Sequence, residues 1–403
     1  MRLLWMKSDY VIPPDTGGKI RTYNLLRELN RLCEVTYLSF KASLAPNDEP
    51  DIQACARRVV TVHRVEEQKE GLGFYSRVLR GMASRLPYII QKYRSRDIVE
   101  HQRRFVRSDA QPSVVLCDFL EMAENVDWSL PCPKVLFQHN VESMIWQRYF
   151  ETERNPLKKA YFGYERTRMS RYESETCNRF DMVFTVSEED KAKLRREYGV
   201  KRPIEVLETA VDAEFFLPDP TATPEASKLV FLGSLDWMPN VDGIKWFATE
   251  VYPLLKQRHQ GVTVDIVGRR PVAEIRRLAE ADASIRVIGN VPDVRPHITA
   301  GELFIVPLRI GGGSRIKIYE AMSMNRPVVS TTIGAEGLPL VPHEHIAIGD
   351  SPSEFANQIS QLLENKDQQA ALAKSAYDLV TRNYQWKHVA VKLRDHCQQL
   401  AQA

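Results

Sequence analysis

The chain has 403 residues, too many for one ordinary hydrophobic core and suited to two domains of about 200 residues each. Apolar content of 43% beside 27% charged residues is that of a globular protein, and a formal net charge of only +3 argues against a dedicated nucleic-acid binder. No apolar run reaches the roughly 18 residues needed to span a bilayer.

The six cysteines, Cys33, Cys55, Cys117, Cys132, Cys177 and Cys397, are scattered without a C-x-x-C pair. Reduced thiols in a cytoplasmic protein are therefore expected, and neither a metal site nor a disulfide framework. The first residues, Met1 to Ser8, lack the length and cleavage region of a signal peptide and read as a buried strand, Leu3 to Met6. A loop from Asp9 to Lys19 follows, with Gly17 and Gly18, where bare backbone N–H groups can approach a ligand; a plain turn is the alternative. A helix pattern with Ile20, Tyr23, Leu26, Leu29 and Leu32 on one face leads to the strand Val35–Phe40. Such alternation predicts a parallel α/β sheet with its functional loops at the carboxyl ends of the strands.

The segment 77–107 carries nine Arg and Lys residues against Asp97 and Glu100, interleaved with apolar side chains. It reads as a solvated helical face, or as a peripheral contact with an anionic membrane surface on the cytoplasmic side. Further strands are predicted at Val59–Val62, at Ser113–Cys117 ending in the polar Asp118, and at Val135–Gln138 ending in His139. A histidine at that edge suits a site, and equally a satisfied histidine at an element boundary. Glu142 reads as a cap of the next helix or as a substrate contact. A long charged helix spans about Glu151 to Phe180, and strands follow at Asp181–Ser187 and Pro203–Leu207.

The proline-rich 213–227 is the linker candidate, dividing a domain 1–212 from a domain 228–385. Alternation then restarts with the strand Leu229–Leu232, the Gly233 loop, the strand Val262–Val267 with the turn at Gly268, and the strand Ile285–Ile288 before a loop containing Val291. The apolar run Leu303–Leu308 precedes Gly311, Gly312, Gly313 and Ser314, and then a helix from about Arg315 to Met324, stopped by Asn325 and Pro327. Strand, glycine loop and helix start make an anion site of bare N–H groups at a positive dipole end. Arg315 and Lys317 sit in that first turn, where cations cost a few tenths to about 1 kcal/mol each. A bound pyrophosphate would remove the cost; the alternative is two solvated cations, with Lys317 paired to Glu320.

Gly311-Gly312-Gly313-Ser314-Arg315, Lys317, Glu320-Ala321-Met322 and the following Arg326-Pro327-Val328-Val329 resemble the donor-binding segment of retaining glycosyltransferases of family 4. That resemblance implies the GT-B fold: two doubly wound Rossmann-like domains facing across a cleft, with the last helix, 386–403, packing back on the first domain. It implies a nucleotide diphosphate sugar as co-substrate, no cofactor and no metal. The implied donor-binding residues are Gly17, Gly18, Gly233, Gly268, Val291, Gly312, Gly313, Ser314 and Glu320, with His139, Arg315 and Lys317 as catalytic residues. Glu320 matches the second of two glutamates that many members carry; Gly312 occupies the place of the first. Where many members have an Arg and a Lys after the first strand of the second domain, this chain has Ser234, so Arg315 and Lys317 are the expected replacements. The implied reaction moves a hexose to a hydroxyl of a glycan or lipid-linked acceptor in polysaccharide or cell-envelope glycan synthesis. A sugar-nucleotide 2-epimerase and a non-catalytic binding subunit on the same scaffold are the alternatives.

Overall fold

Short apolar runs become strands buried on both faces, and the helices between them supply the cover. In the computed structural model, described over residues 1–42, 49–64, 76, 81–106, 111–310 and 315–402, this alternation forms two compact units. They are Met1–Glu208 with Lys387–Ala403, and Thr209–Trp386.

The first unit contains β1 (Arg2–Lys7), β2 (Glu34–Ala42), β3 (Arg58–Arg64), β4 (Val114–Asp118), β5 (Lys134–Phe137), β6 (Met182–Thr185) and β7 (Ile204–Val206). They pair in parallel in the order β3-β2-β1-β4-β5-β6-β7. The second contains β8 (Lys228–Leu232), β9 (Thr263–Val267), β10 (Ile285–Gly289), β11 (Leu303–Val306), β12 (Val328–Ser330) and β13 (Ala347–Ile348), in the order β10-β9-β8-β11-β12-β13. Every residue of β4, β5, β8 and β11 is buried, as near-continuous apolar runs require. In each sheet the chain first runs outward to one side and then returns to the other. The direction reverses between β1 and β4 and between β8 and β11. Ligands of open α/β sheets bind outside the carboxyl ends of the strands at such a reversal.

Several boundaries differ from the sequence reading. The first helix runs Gly17–Leu32 instead of starting at Ile20, because Thr16 caps it through its hydroxyl and the Lys19 N–H at 3.4 Å. Gly17 and Gly18 therefore form its first turn. The long charged helix, expected over about Glu151 to Phe180, runs Pro156–Arg179, after a separate helix Glu142–Thr152. Asn155 starts the second, accepting from the N–H groups of Leu157 (3.0 Å) and Lys158 (3.2 Å). Asn155→Ala is expected to cost about 1 kcal/mol, read as a lower denaturation midpoint at unchanged slope. The stretch 213–227 belongs with the second unit, anchored where Ser323 donates to the Phe216 carbonyl at 2.8 Å and where the Glu225 N–H meets the Ala300 carbonyl at 2.9 Å.

The last helix, Trp386–Gln402, joins the first unit from Lys387 onward, with Lys392 3.0 Å from Glu208. No helix among the described residues is long and apolar enough to cross a membrane. In the described part of 77–107, Arg94, Arg103 and Arg104 pair with Glu124, Asp127 and Glu100. Residues 77–80 and 107 lie outside the described residues.

Candidate functional site

In the second unit the site grows from the carboxyl end of β8. The helix Ile316–Ser323, which follows β11, sends Lys317 back to that edge, where its Nζ donates to the Leu232 carbonyl (2.7 Å) and to Asn240 Oδ1 (3.2 Å). It also lies 4.5 Å from the Phe231 ring centroid. Both hydrogen-bond partners are uncharged, and among the described residues no carboxylate stands within ion-pairing distance of Lys317. Burial and the nearby Arg315 guanidinium push the Lys317 ammonium down to about 7, partly opposed by Glu320. Burial pushes the Glu320 carboxyl up to about 7, against the pull of Lys317. The β8 edge thus holds a cation whose charge no ion-paired carboxylate among the described residues neutralises, the condition under which an anion is welcome.

Two glycines let the edge close around it. A Cβ on Gly233 would stand 2.6 Å from Asn240 Nδ2 and 3.0 Å from Lys317 Nζ, and one on Gly268 would stand 1.7 Å from the Gly233 carbonyl oxygen. Val291 lies beyond β10, half-buried against the apolar cluster around Val230 and Phe304. Arg315 begins the helix in the left-handed region, φ 50°. Its buried guanidinium donates to the Ile333 carbonyl at 2.8 Å and lies 3.8 Å from Glu336. Arg315 therefore fastens the turn after β12, and Lys317 is the cation placed at the β8 edge. Arg309, beyond the end of β11, is engaged with Asp242 at 2.7 Å. Gly312, Gly313 and Ser314 lie outside the described residues.

The first unit builds its polar site at the matching place. Lys7 and Asp118 end β1 and β4 and face each other in register, and Asp118 is in register with Phe137 at the end of β5. His139, two residues on, is 4% exposed and sets Nε2 2.5 Å from Asp118 Oδ1. The other oxygen, Oδ2, accepts from Thr22 Oγ1 (2.7 Å), Trp5 Nε1 (3.0 Å) and Lys7 Nζ (3.3 Å). Burial alone would raise the Asp118 carboxyl; Lys7, His139 and Thr22 instead hold it well below the usual range. Burial pushes the His139 imidazole down to about 4, against the pull of Asp118. Its Nδ1 is buried with no hydrogen-bond partner among the described residues, a cost of about 1–3 kcal/mol.

Phe119 stacks on the His139 ring at 3.9 Å with planes 9° apart. It does so with φ at 75°, a conformation costing a bulky residue about 1–3 kcal/mol. Gly18 makes room for it: a Cβ there would stand 2.9 Å from the Phe119 ring. Glu142 opens its helix, whose first N–H groups are received by the Glu173 carboxylate. Sequence reasoning marked Asp118 as a strand-end polar residue but did not enrol Lys7, Thr22 or Trp5. The signal for Lys7 was present, a charge closing an otherwise apolar strand.

Two doubly wound parallel-sheet units, each with its polar site at the topological reversal, are the architecture of the GT-B class. Anabaena Alr3699/HepE, solved in complex with UDP, superimposes with a TM-score of 0.68 at 14% identity, covering 99% of this chain and 100% of that one. The family model "Glycosyltransferase Family 4" matches residues 16–215 and "Glycosyl transferases group 1" matches residues 226–365; the chain belongs to this glycosyltransferase family. A Klebsiella pneumoniae protein of the cps region is 24% identical over 64% of this chain and 66% of its own length. A Mycobacterium tuberculosis GDP-mannose-dependent alpha-(1-6)-phosphatidylinositol monomannoside mannosyltransferase is 28% identical over 53% of this chain and 61% of its own length. The matches thus span less than two thirds of these relatives.

Proposed function

We propose that the chain transfers a hexose from a nucleoside diphosphate sugar to a hydroxyl of a glycan or lipid-linked acceptor, with the anomeric configuration retained. The observation that carries this reading is Lys317: a part-buried ammonium at the β8–β11 reversal, held by neutral oxygens beside Gly233, where a side chain would meet it, with Gly268 packed in turn on the Gly233 carbonyl. A diphosphate supplies the missing negative charge. As the bond from the sugar C1 to the β-phosphate oxygen breaks, charge builds on that phosphate, and a fixed, part-buried ammonium stabilises it more than it stabilises the ground state. The acceptor oxygen bonds to C1 on the face the phosphate leaves, and its proton passes to the departing phosphate oxygen. Atoms and charge balance without a protein nucleophile. The relatives' names, a mannosyltransferase acting on a phosphatidylinositol mannoside and a protein of a cps region, support a lipid-linked or polysaccharide acceptor.

Incubation with labelled UDP- and GDP-sugars tests the reading. Transfer, or slow hydrolysis, releases nucleoside diphosphate. An epimerase would release a new nucleotide sugar, and a binding subunit would release neither.

Proton linkage gives a second check. Lys317 with a pKa of about 7 in the empty site is charged below that pH and neutral above it. Glu320, also near 7, becomes a repelling carboxylate over the same range. Both effects have one sign. Affinity for UDP or GDP, whichever binds, is expected to be full below pH 7 and to weaken by up to roughly tenfold per unit for each of the two groups through about pH 9. A flat profile over that range would remove Lys317 from the diphosphate site.

A further inference from the structure

We propose that Asp118 is a positioning residue of the glycosyl-transfer reaction, fixing His139 in its Nε2–H tautomer with Lys7 as counter-charge and leaving Nδ1 as an acceptor only. The role rests on the transferase reading above. Three donors from two elements, Thr22, Trp5 and Lys7, converge on Asp118 Oδ2. An oxygen receiving three donors belongs to a carboxylate, so the second oxygen, 2.5 Å from His139 Nε2, also accepts. Nε2 therefore carries the hydrogen and Nδ1 the lone pair.

A histidine serving only to hold the fold would have both nitrogens satisfied. Here Nδ1 has no partner among the described residues, while the ring is clamped by Phe119 at 3.9 Å and Phe137 at 4.5 Å. A clamped ring, one nitrogen tied to a buried carboxylate and the other unused, is an arrangement kept for something that arrives. An acceptor-only nitrogen receives a hydroxyl and turns away an ionised phosphate oxygen, which has no hydrogen to give.

Asp118→Asn is the informative change. Its amide oxygen must take the place facing the three donors, which turns the NH2 toward His139 Nε2 and forces the opposite tautomer. The expected outcome is a fall in kcat of about 100-fold with the donor KM within a few fold. In protein carrying isotope-labelled histidine, the His139 nitrogen shifts should move from the Nε2–H to the Nδ1–H pattern. In a His139→Ala background the same substitution should change kcat by less than about twofold, because Asp118 acts through the imidazole. An unchanged tautomer, or losses that multiply in the double variant, would overturn the proposal and leave Asp118 a structural residue. Should Asp118→Asn fail to fold, Thr22→Val removes one donor and keeps the charge; it should lower kcat several-fold in the wild-type background and not in His139→Ala. If the wild-type chain turned over no nucleotide sugar, the transferase reading would fall, and Asp118's part in that reaction with it; the nitrogen shifts would still decide the tautomer.

Discussion

Lys317→Met should lower kcat/KM for the sugar donor by about 10²–10³-fold while moving the melting temperature by only a few degrees. The asymmetry follows from where the ammonium sits. Methionine keeps the length and apolar stem of the side chain, so packing against Phe231 survives. The Leu232 carbonyl and Asn240 Oδ1 each lose a donor, about 1 kcal/mol apiece. That loss is offset because a part-buried cation, already pushed down to about 7, no longer has to be accommodated. Nothing offsets the loss of charge opposite a leaving diphosphate. Lys317→Arg should not rescue: a planar guanidinium is wider than the tip it replaces and presents its donors in a fixed fork, where the ammonium serves the Leu232 carbonyl and Asn240 Oδ1 from one point. Steady-state kinetics beside thermal denaturation reads both quantities. A variant that loses stability and activity in proportion would make Lys317 a structural residue.

Gly268→Ala should be the most damaging single methyl among the described glycines of the second unit. Its Cβ would fall 1.7 Å from the Gly233 carbonyl oxygen, and neither backbone is free to yield. The Gly233 N–H is bonded to the Val267 carbonyl at 3.0 Å and the Gly268 N–H to the Gly289 carbonyl at 2.9 Å. Relieving the clash means parting the β8 and β9 edges, at about 2–4 kcal/mol, the scale of a severe core substitution. Because Lys317 is held at the Leu232 end of β8, beside Gly233, donor binding should fall together with stability. Gly261→Ala is the matched control, since a Cβ there meets nothing within 4 Å, and it should be near neutral. Equal melting temperatures for the two variants would mean that the close approach does not constrain the edge.

How far the chain could be read in advance depended on whether the determining contacts were local. The unit β11–helix–β12 was legible to within two residues at each boundary. An apolar run, a left-handed stop at Asn325 (φ 55°) and Pro327 are all features of neighbouring residues. The glycine loop between β11 and the helix lies outside the described residues. The start of the first helix was misplaced because glycines are poor helix formers. What sets it is the Thr16 cap, together with the Phe119 ring, a hundred residues away in sequence, that needs Gly18 bare.

Site composition was harder to read for the same reason. Lys7 and Asp118 meet through the register of two strands 111 residues apart, and Lys317 meets Asn240 across 77 residues. Residue type could nominate Lys317; only the sheet order shows that it returns to β8 while Arg315, two residues earlier, turns to Ile333 and Glu336. β13, two residues long, had no pattern to find.

Calorimetric titration of UDP and of GDP into the wild-type chain and into Lys317→Met, at pH 8 in two buffers of different ionisation heat, tests the diphosphate site at its base. The wild-type chain should bind one of the two nucleotides and take up on the order of one proton as the ammonium is recharged. Lys317→Met should bind it at least tenfold more weakly and take up fewer protons, keeping only the share that Glu320 contributes. Equal affinities and equal proton counts for the two chains would mean that the diphosphate is held elsewhere, and that the lysine at the β8 edge is not what this protein uses to grip its donor.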